Sequence, residues 1–113
     1  MVKFSPMNRI AILKSYIERD PTDMFTRHAL AMELVKIGDD LEAQQVMEEI
    51  LGIDELYIGT YYHLGKLCER IGDMIKAEAV YTKGIVLAEQ FNDSTSLREL
   101  KAALQHLKDE LDL

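Results

Sequence analysis

Residues 61–81 read YYHLGKLCERIGDMIKAEAVY, and their spacing is that of two helices joined by a turn. Leu64 and Cys68 lie four residues apart, so both fall on one face of a helix. Gly72 and Asp73 then interrupt the pattern. Glycine favours the left-handed conformation in which helices end, and aspartate caps the start of the next helix. This stretch therefore predicts a helix–turn–helix unit rather than strands.

The same pattern occurs 34 residues earlier, where Gly38 and Asp39 stand at the positions of Gly72 and Asp73. The other pairs matched at this interval are Leu30 with Leu64, Ala31 with Gly65, Leu34 with Cys68, Ile37 with Ile71, Ala43 with Ala77, and Met47 with Tyr81. A helix–turn–helix repeat of this length resembles the tetratricopeptide repeat (TPR) family. The resemblance implies an all-α fold, an α–α superhelix of antiparallel helices, and a role in binding other proteins.

This reading predicts about six helices, near residues 6–18, 22–37, 40–52, 55–71, 74–90 and 95–111. The whole chain, residues 1–113, is expected to be one TPR-like domain. Its parts are a half-repeat helix (6–20), a first repeat (21–54), a second repeat (55–90) and a C-terminal capping helix (94–113).

Small residues are expected where the two helices of a repeat meet. Ala31 or Gly65 on the first helix would lie opposite Ala43 or Ala77 on the second, which lets the backbones approach closely. The residues expected to face inward on the first helices are Leu30, Ala31, Leu34 and Ile37, and then Leu64, Gly65, Cys68 and Ile71.

The flanking helices are expected to cover the ends of the stack. Ser5 and Pro6 suit a helix start, since a hydroxyl can cap and proline fits the first turn. Near the other end, Ser96 and Glu99 have the spacing of a capping box. The last helix then carries a leucine stripe, Leu97, Leu100, Leu104, Leu107 and Leu111. We expect Leu104 to be buried against the last repeat helix. The alternative is dimerisation through this stripe, but two heptads are short for an independent coiled coil.

Composition excludes some classes of function. The formal charge of −7 and the pI near 4.9 argue against nucleic-acid binding, which needs a basic face. No apolar run approaches the length of a membrane span, and the first residues lack the apolar core of a secretory signal, so we expect a cytoplasmic protein without membrane contact. Cys68 is the only cysteine, which excludes an internal disulfide.

Enzyme chemistry fits the sequence poorly. It contains no phosphate-binding loop, nucleophile elbow or zinc signature. His63 and Cys68 are five residues apart, which turns them off a common helix face, and Cys68 suits the core as a small apolar residue. We therefore expect no catalytic residue, cofactor or metal site.

The first helix of each repeat has a face that does not pack internally. In TPR proteins the equivalent faces line a concave groove that holds a peptide, so the resemblance makes this groove the candidate site. The residues expected to line it are Phe25, His28, Met32 and Lys36 in the first repeat, and Tyr62, His63, Lys66 and Arg70 in the second.

This candidate groove combines apolar, aromatic and cationic side chains, which favours an acidic or C-terminal peptide. The two histidines could add charge near pH 6. The competing interpretation is an ordinary surface in which Glu33 and Glu69 partly offset the cations, and the sequence favours neither. Some TPR proteins grip a terminal carboxylate with lysines and asparagines; this chain has His28, Met32 and His63 at such positions, so that clamp is not expected.

Two functions follow as hypotheses. The first is a monomeric, non-catalytic adaptor that binds a peptide or partner segment in the groove. The second is a structural protein that forms a homodimer through its terminal amphipathic helix.

Overall fold

A computed structural model describes residues 5–112, apart from the side chain of Pro6, and these residues form helices and turns without strands. The helices are α1 (Pro6–Arg19), α2 (Met24–Lys36), α3 (Asp40–Ile53), α4 (Gly59–Ile71), α5 (Met74–Gln90) and α6 (Ser94–Leu111). The chain forms two compact units that divide after Asp54, so α1–α3 belong to the first and α4–α6 to the second. Each unit therefore consists of one helix pair of the predicted repeat and one flanking helix.

In the first unit, α2 packs against both α1 and α3. Leu30, Ala31 and Leu34 of α2 are buried, as the 34-residue pattern predicts. From α3, the buried residues are Ala43, Val46, Met47 and Ile50. On α1, the apolar residues Ile10, Leu13 and Ile17 form an inward stripe that is only partly buried. Ile10 is 5% exposed, and Leu13 and Ile17 are half-buried.

In the second unit, α5 packs against α4 and α6, and α6 also packs against α4. The core residues from α4 and α5 are Tyr61, Leu64, Leu67, Cys68, Ala77, Tyr81, Leu87 and Ala88. Gly65 is covered by the ring of Tyr81, because a Cβ atom built on it would lie 2.1 Å from Tyr81 Cε1. The close approach of α4 and α5 therefore brings an aromatic ring onto a glycine.

Aspartates cap four of the helices. Asp23, Asp39, Asp73 and Asp93 each accept a hydrogen bond from the backbone N–H three residues later, at 3.1–3.2 Å. Ser5 caps α1 in the same way, as predicted. Gly38 and Gly72 have φ angles of 80° and 97°, which confirms the left-handed geometry expected at these helix ends.

Three details of the prediction are wrong. The cap of α6 is Asp93 and not Ser96, whose N–H and hydroxyl both bond to the Asp93 carboxylate. Ile37 and Ile71 are 40% and 46% exposed, because they lie where their helices end and the packed face runs out. Leu104 is only half-buried, since the face of α6 that packs on its own unit is centred on the residues Leu100, Ala103 and Leu107.

Helix α4 also begins later than expected, at Gly59 rather than near residue 55. Residue Ile58 precedes it without a side-chain cap, and residues 55–58 form a turn. The Tyr61 hydroxyl donates a hydrogen bond of 2.8 Å to the Glu55 carbonyl oxygen, which ties this turn to the helix.

Candidate interaction surface

The exposed face of α2 carries the residues predicted for the first repeat. Phe25 is 74% exposed, Met32 is half-buried and Lys36 is exposed. These three residues are seven and four positions apart, so they share one face of the helix. His28 is half-buried at the edge of this face.

Lys36 lies in a small charge network whose carboxylate is turned inward. Glu33 Oε1 is 3.5 Å from Lys36 Nζ, and Glu33 Oε2 is 3.3 Å from Arg9 Nε of α1. The Glu33 side chain is 13% exposed, whereas those of Lys36 and Arg9 are 66% and 42% exposed. A ligand approaching from solvent therefore meets the cations before the carboxylate.

An apolar cleft of about 430 Å³ lies beside this face, between α1 and α2. Ile12, Leu13 and Tyr16 of α1 and Ala29 of α2 line it, and the Arg9–Glu33 ion pair closes one side. Sequence reasoning missed these α1 residues because it treated α1 only as an end cover. A signal was present, since Ile12 and Tyr16 are four apart and lie off the inward stripe of α1.

The exposed face of α4 carries the residues predicted for the second repeat. Tyr62, Lys66 and Arg70 follow one another at intervals of four, so they form a strip along the helix. Lys66 and Arg70 are exposed, and Tyr62 is half-buried. The Tyr62 ring meets the His63 imidazole edge to face, with centroids 5.4 Å apart.

The carboxylate on this face is also turned inward. Glu69 accepts a short hydrogen bond from the buried Tyr81 hydroxyl and lies 4.0 Å from Lys66 Nζ. The Glu69 side chain is 16% exposed and that of Lys66 is 46% exposed. Burial, and then the hydrogen bond to Glu69, raise the pKa of Tyr81, so the phenol stays protonated and continues to donate.

His63 lies at the edge of the strip nearest α6. Burial lowers the pKa of His63, and the negative charge of Glu99 on α6 opposes that shift only in part. His63 is therefore neutral at pH 7, and its pKa lies below the ordinary value of 6.5.

In each unit, three of the four predicted residues thus share the exposed face of the first repeat helix, and the histidine lies at the edge of that face. That the two sets form one groove stays a prediction. The core interpretation of Cys68 is confirmed, because this residue is 1% exposed. Within residues 5–112, no cluster of histidine, cysteine or acidic side chains has the arrangement of a metal site. In the same part of the chain, every helix is too short or too polar to cross a membrane.

Comparisons with known proteins define the class. The family model described as "Tetratricopeptide repeat" matches residues 58–91. The solution structure of a tetratricopeptide repeat domain protein from Salinibacter ruber is 40% identical to this chain, with a TM-score of 0.76 over 80% of this chain and 91% of the other. The chain therefore belongs to the tetratricopeptide repeat family. A search of curated proteins found no match.

More distant structures share the fold. The TPR2B domain of yeast Sti1, solved in a complex with pHsp70, has a TM-score of 0.85 at 16% identity, covering 93% of this chain and 84% of that domain. PcrH, solved with the chaperone-binding region of PopD, has a TM-score of 0.82 at 17% identity, covering 89% of this chain and 77% of PcrH. At such identities the likeness shows the helical-repeat fold alone.

Proposed function

We propose that this chain is a non-catalytic interaction module that binds an acidic segment of a partner protein on the exposed faces of α2 and α4. Family membership supports the general role, since TPR proteins are generally interaction modules. The structures of Sti1 and PcrH, each solved with a binding partner, support it by analogy. A cytoplasmic location is part of the same proposal.

One observation supports the proposed preference for acidic ligands. In both units the carboxylate near the face is the buried member of its ion pair, with Glu33 at 13% and Glu69 at 16% exposed, while Lys36 and Lys66 point outward at 66% and 46%. Such surface pairs are worth only about 0–1 kcal/mol, so a lysine can exchange its partner for a ligand carboxylate at little cost.

Apolar anchors stand beside these cations. Phe25 exposes most of its ring, and Tyr62 offers an aromatic ring with a polar tip. Rings of this kind supply much of the binding energy at protein interfaces, whereas exposed charges mainly set specificity and the rate of association. The proposal requires only that one partner contact the face of α2 and the face of α4.

The test is selection of binding peptides from a random displayed library, followed by affinity measurements on the enriched sequences. We expect acidic peptides with an apolar anchor to be enriched. The variant Lys66→Glu/Arg70→Glu should lose at least about tenfold in affinity for them. Its matched control is Lys101→Glu/Lys108→Glu, which makes the same charge change on α6, where Lys101 Nζ lies 3.7 Å from Glu89 of α5.

Both variants should keep the wild-type melting temperature, because the four cations are exposed. Enrichment of basic or uncharged peptides, or equal loss of binding in both variants, would refute the proposal.

Self-association through α6 is the second candidate. It is supported by Leu111, which is 53% exposed, and by the half-buried Leu97 and Leu104. Against it, Leu100 and Leu107 are 0% and 1% exposed, so two of the five leucines are already buried within their own unit. Light scattering of the wild-type protein and of the Leu111→Glu variant tests this candidate. The substitution should dissociate a dimer formed through α6 and should leave a monomer unchanged.

A further inference from the structure

Helix α5 carries an apolar stripe on the side that faces away from its own core. Ile75 is 86% exposed, Val86 is 50% exposed, and Ala79 and Thr82 between them are also exposed. The four residues are spaced four, three and four apart, which is the seam spacing of a coiled coil. The buried side of α5, formed by the residues Ala77, Tyr81, Gly84 and Ala88, lies opposite. The core of the unit therefore does not need this stripe to be apolar.

The repeat architecture does not require the stripe either. The positions 34 residues earlier, on α3, are Leu41, Gln45, Glu48 and Gly52. Only the first of them is a large apolar residue. An apolar seam at these positions is thus a property of α5 and not of the repeat.

Two charges flank the stripe on opposite sides. Glu78 and Lys83 line the shallow groove of about 550 Å³ that the stripe forms along α5. If the stripe residues are placed at heptad positions d, a, d and a, then Glu78 falls at g and Lys83 at e. Lys83 Nζ is 2.8 Å from Glu55 Oε1, yet its side chain is still 55% exposed.

We propose that this stripe binds the same stripe of a second copy of the chain, with the two α5 helices parallel. In a parallel pair, a residue at g meets the residue five positions later, at e, on the other helix. Glu78 of each copy would then face Lys83 of the other, which gives two opposite-charge contacts by symmetry. An antiparallel pair would instead bring Lys83 near Lys76 of the other copy, and like charges repel.

The expected dimer is weak. A seam of three helical turns buries less than the roughly 1,200 Å² of a standard interface, so it should form only at high concentration. Two features favour it. Ala79 and Thr82 are small and allow close approach, and α5 is already ordered by its own unit, so pairing costs little conformational entropy.

The first test is sedimentation equilibrium of the full chain from about 10 µM to about 1 mM. We expect reversible dimerisation that Ile75→Glu weakens by about tenfold or more. The matched control is Leu41→Glu, which changes an exposed apolar residue at the same position of the first repeat. It should change the dissociation constant of the dimer by less than about twofold. Wild-type chain that stays monomeric at about 1 mM, or a dimer insensitive to Ile75→Glu, overturns the proposal.

The second test addresses the parallel register. Glu78→Lys alone and Lys83→Glu alone each place like charges across the seam, so neither variant should self-associate. An equimolar mixture of the two places opposite charges across the seam and should form a heterodimer. Glu55→Gln serves as a control for loss of the Lys83 pair within the chain and should leave dimerisation unchanged. A mixture that associates no better than either variant alone overturns the parallel arrangement.

Discussion

At Gly65 the packing leaves no space for a side chain. A Cβ atom there would lie 2.1–2.6 Å from three atoms of the Tyr81 ring. That ring cannot move aside easily, because Tyr81 is fully buried and its hydroxyl is bonded to Glu69. The glycine is therefore needed for the close approach of two helices. It is not needed for its backbone conformation, because its φ is not in the left-handed region.

We predict that Gly65→Ala destabilises the protein by at least about 1–3 kcal/mol, the usual cost of overpacking. Gly52→Ala is the control, because a Cβ atom there meets nothing within 4 Å. It should be neutral or stabilise the helix by up to about 1 kcal/mol, since alanine loses less backbone entropy on folding. Urea unfolding of both variants measures the difference. Equal effects would mean that the Tyr81 ring does not lie against Gly65.

His63 makes stability depend on pH in a direction that the structure fixes. Burial lowers the pKa of His63 in the folded chain below its ordinary value of 6.5. Between the folded and unfolded pKa values, the unfolded chain binds more protons, so the free energy of unfolding decreases as the pH falls. We predict that wild-type protein loses stability from pH 7 downwards through 6.5, and that His63→Gln shows a smaller loss over this window. An identical pH dependence in both proteins would contradict the assignment.

At the scale of the helix, periodicity could predict a great deal. Five of the six helices begin and end within about two residues of the expected positions, because the Gly-Asp pairs and the apolar spacing mark them. The start of α4 could not be read in this way. Residues 54–58 contain neither proline nor glycine, and the turn is held by the hydrogen bond from Tyr61 to the Glu55 carbonyl.

The orientation of α6 about its own axis could not be predicted from the sequence either. Leucines spaced three and four apart occupy a broad face, and only packing against α5 decides that Leu100 and not Leu104 is in the centre.

At the candidate site, the exposed cations of α2 and α4 follow from spacing alone. The inward direction of Glu33 and Glu69 does not, because it depends on Arg9 and on the Tyr81 hydroxyl, which lie on other helices.

The corrected face of α6 leads to a prediction. Leu100 is fully buried and its methyl groups lie against Gly84 of α5. Leu100→Ala should therefore cost about 2–5 kcal/mol, the range for a buried leucine. Leu104→Ala should cost clearly less, because half-buried residues lose less apolar burial and leave no closed cavity. Chemical denaturation of the pair tests this order, and the reverse order would restore the original assignment of Leu104.

For the whole molecule, two electrostatic terms of opposite sign act on an acidic ligand. The formal charge of −7 repels it, whereas Lys36, Lys66 and Arg70 on the proposed faces attract it. Their ranges differ with salt, since the Debye length is about 30 Å at 0.01 M, about 10 Å at 0.1 M and about 3 Å at 1 M. At low salt the ligand is influenced by the charge of the entire chain. Near 0.1 M it is influenced mainly by the cations beside it.

We therefore predict that affinity for an acidic peptide is highest at an intermediate ionic strength. It should rise from about 0.01 M to about 0.1 M salt, as the long-range repulsion is screened, and then fall toward 1 M, as the local attraction is screened too. Titration of a labelled peptide across this range measures the curve. In Lys66→Glu/Arg70→Glu the local term is repulsive as well, so any remaining affinity should only increase with salt. A wild-type curve that falls steadily from the lowest salt would show that the cations outweigh the net charge at every distance. A flat curve would show that the peptide does not contact them.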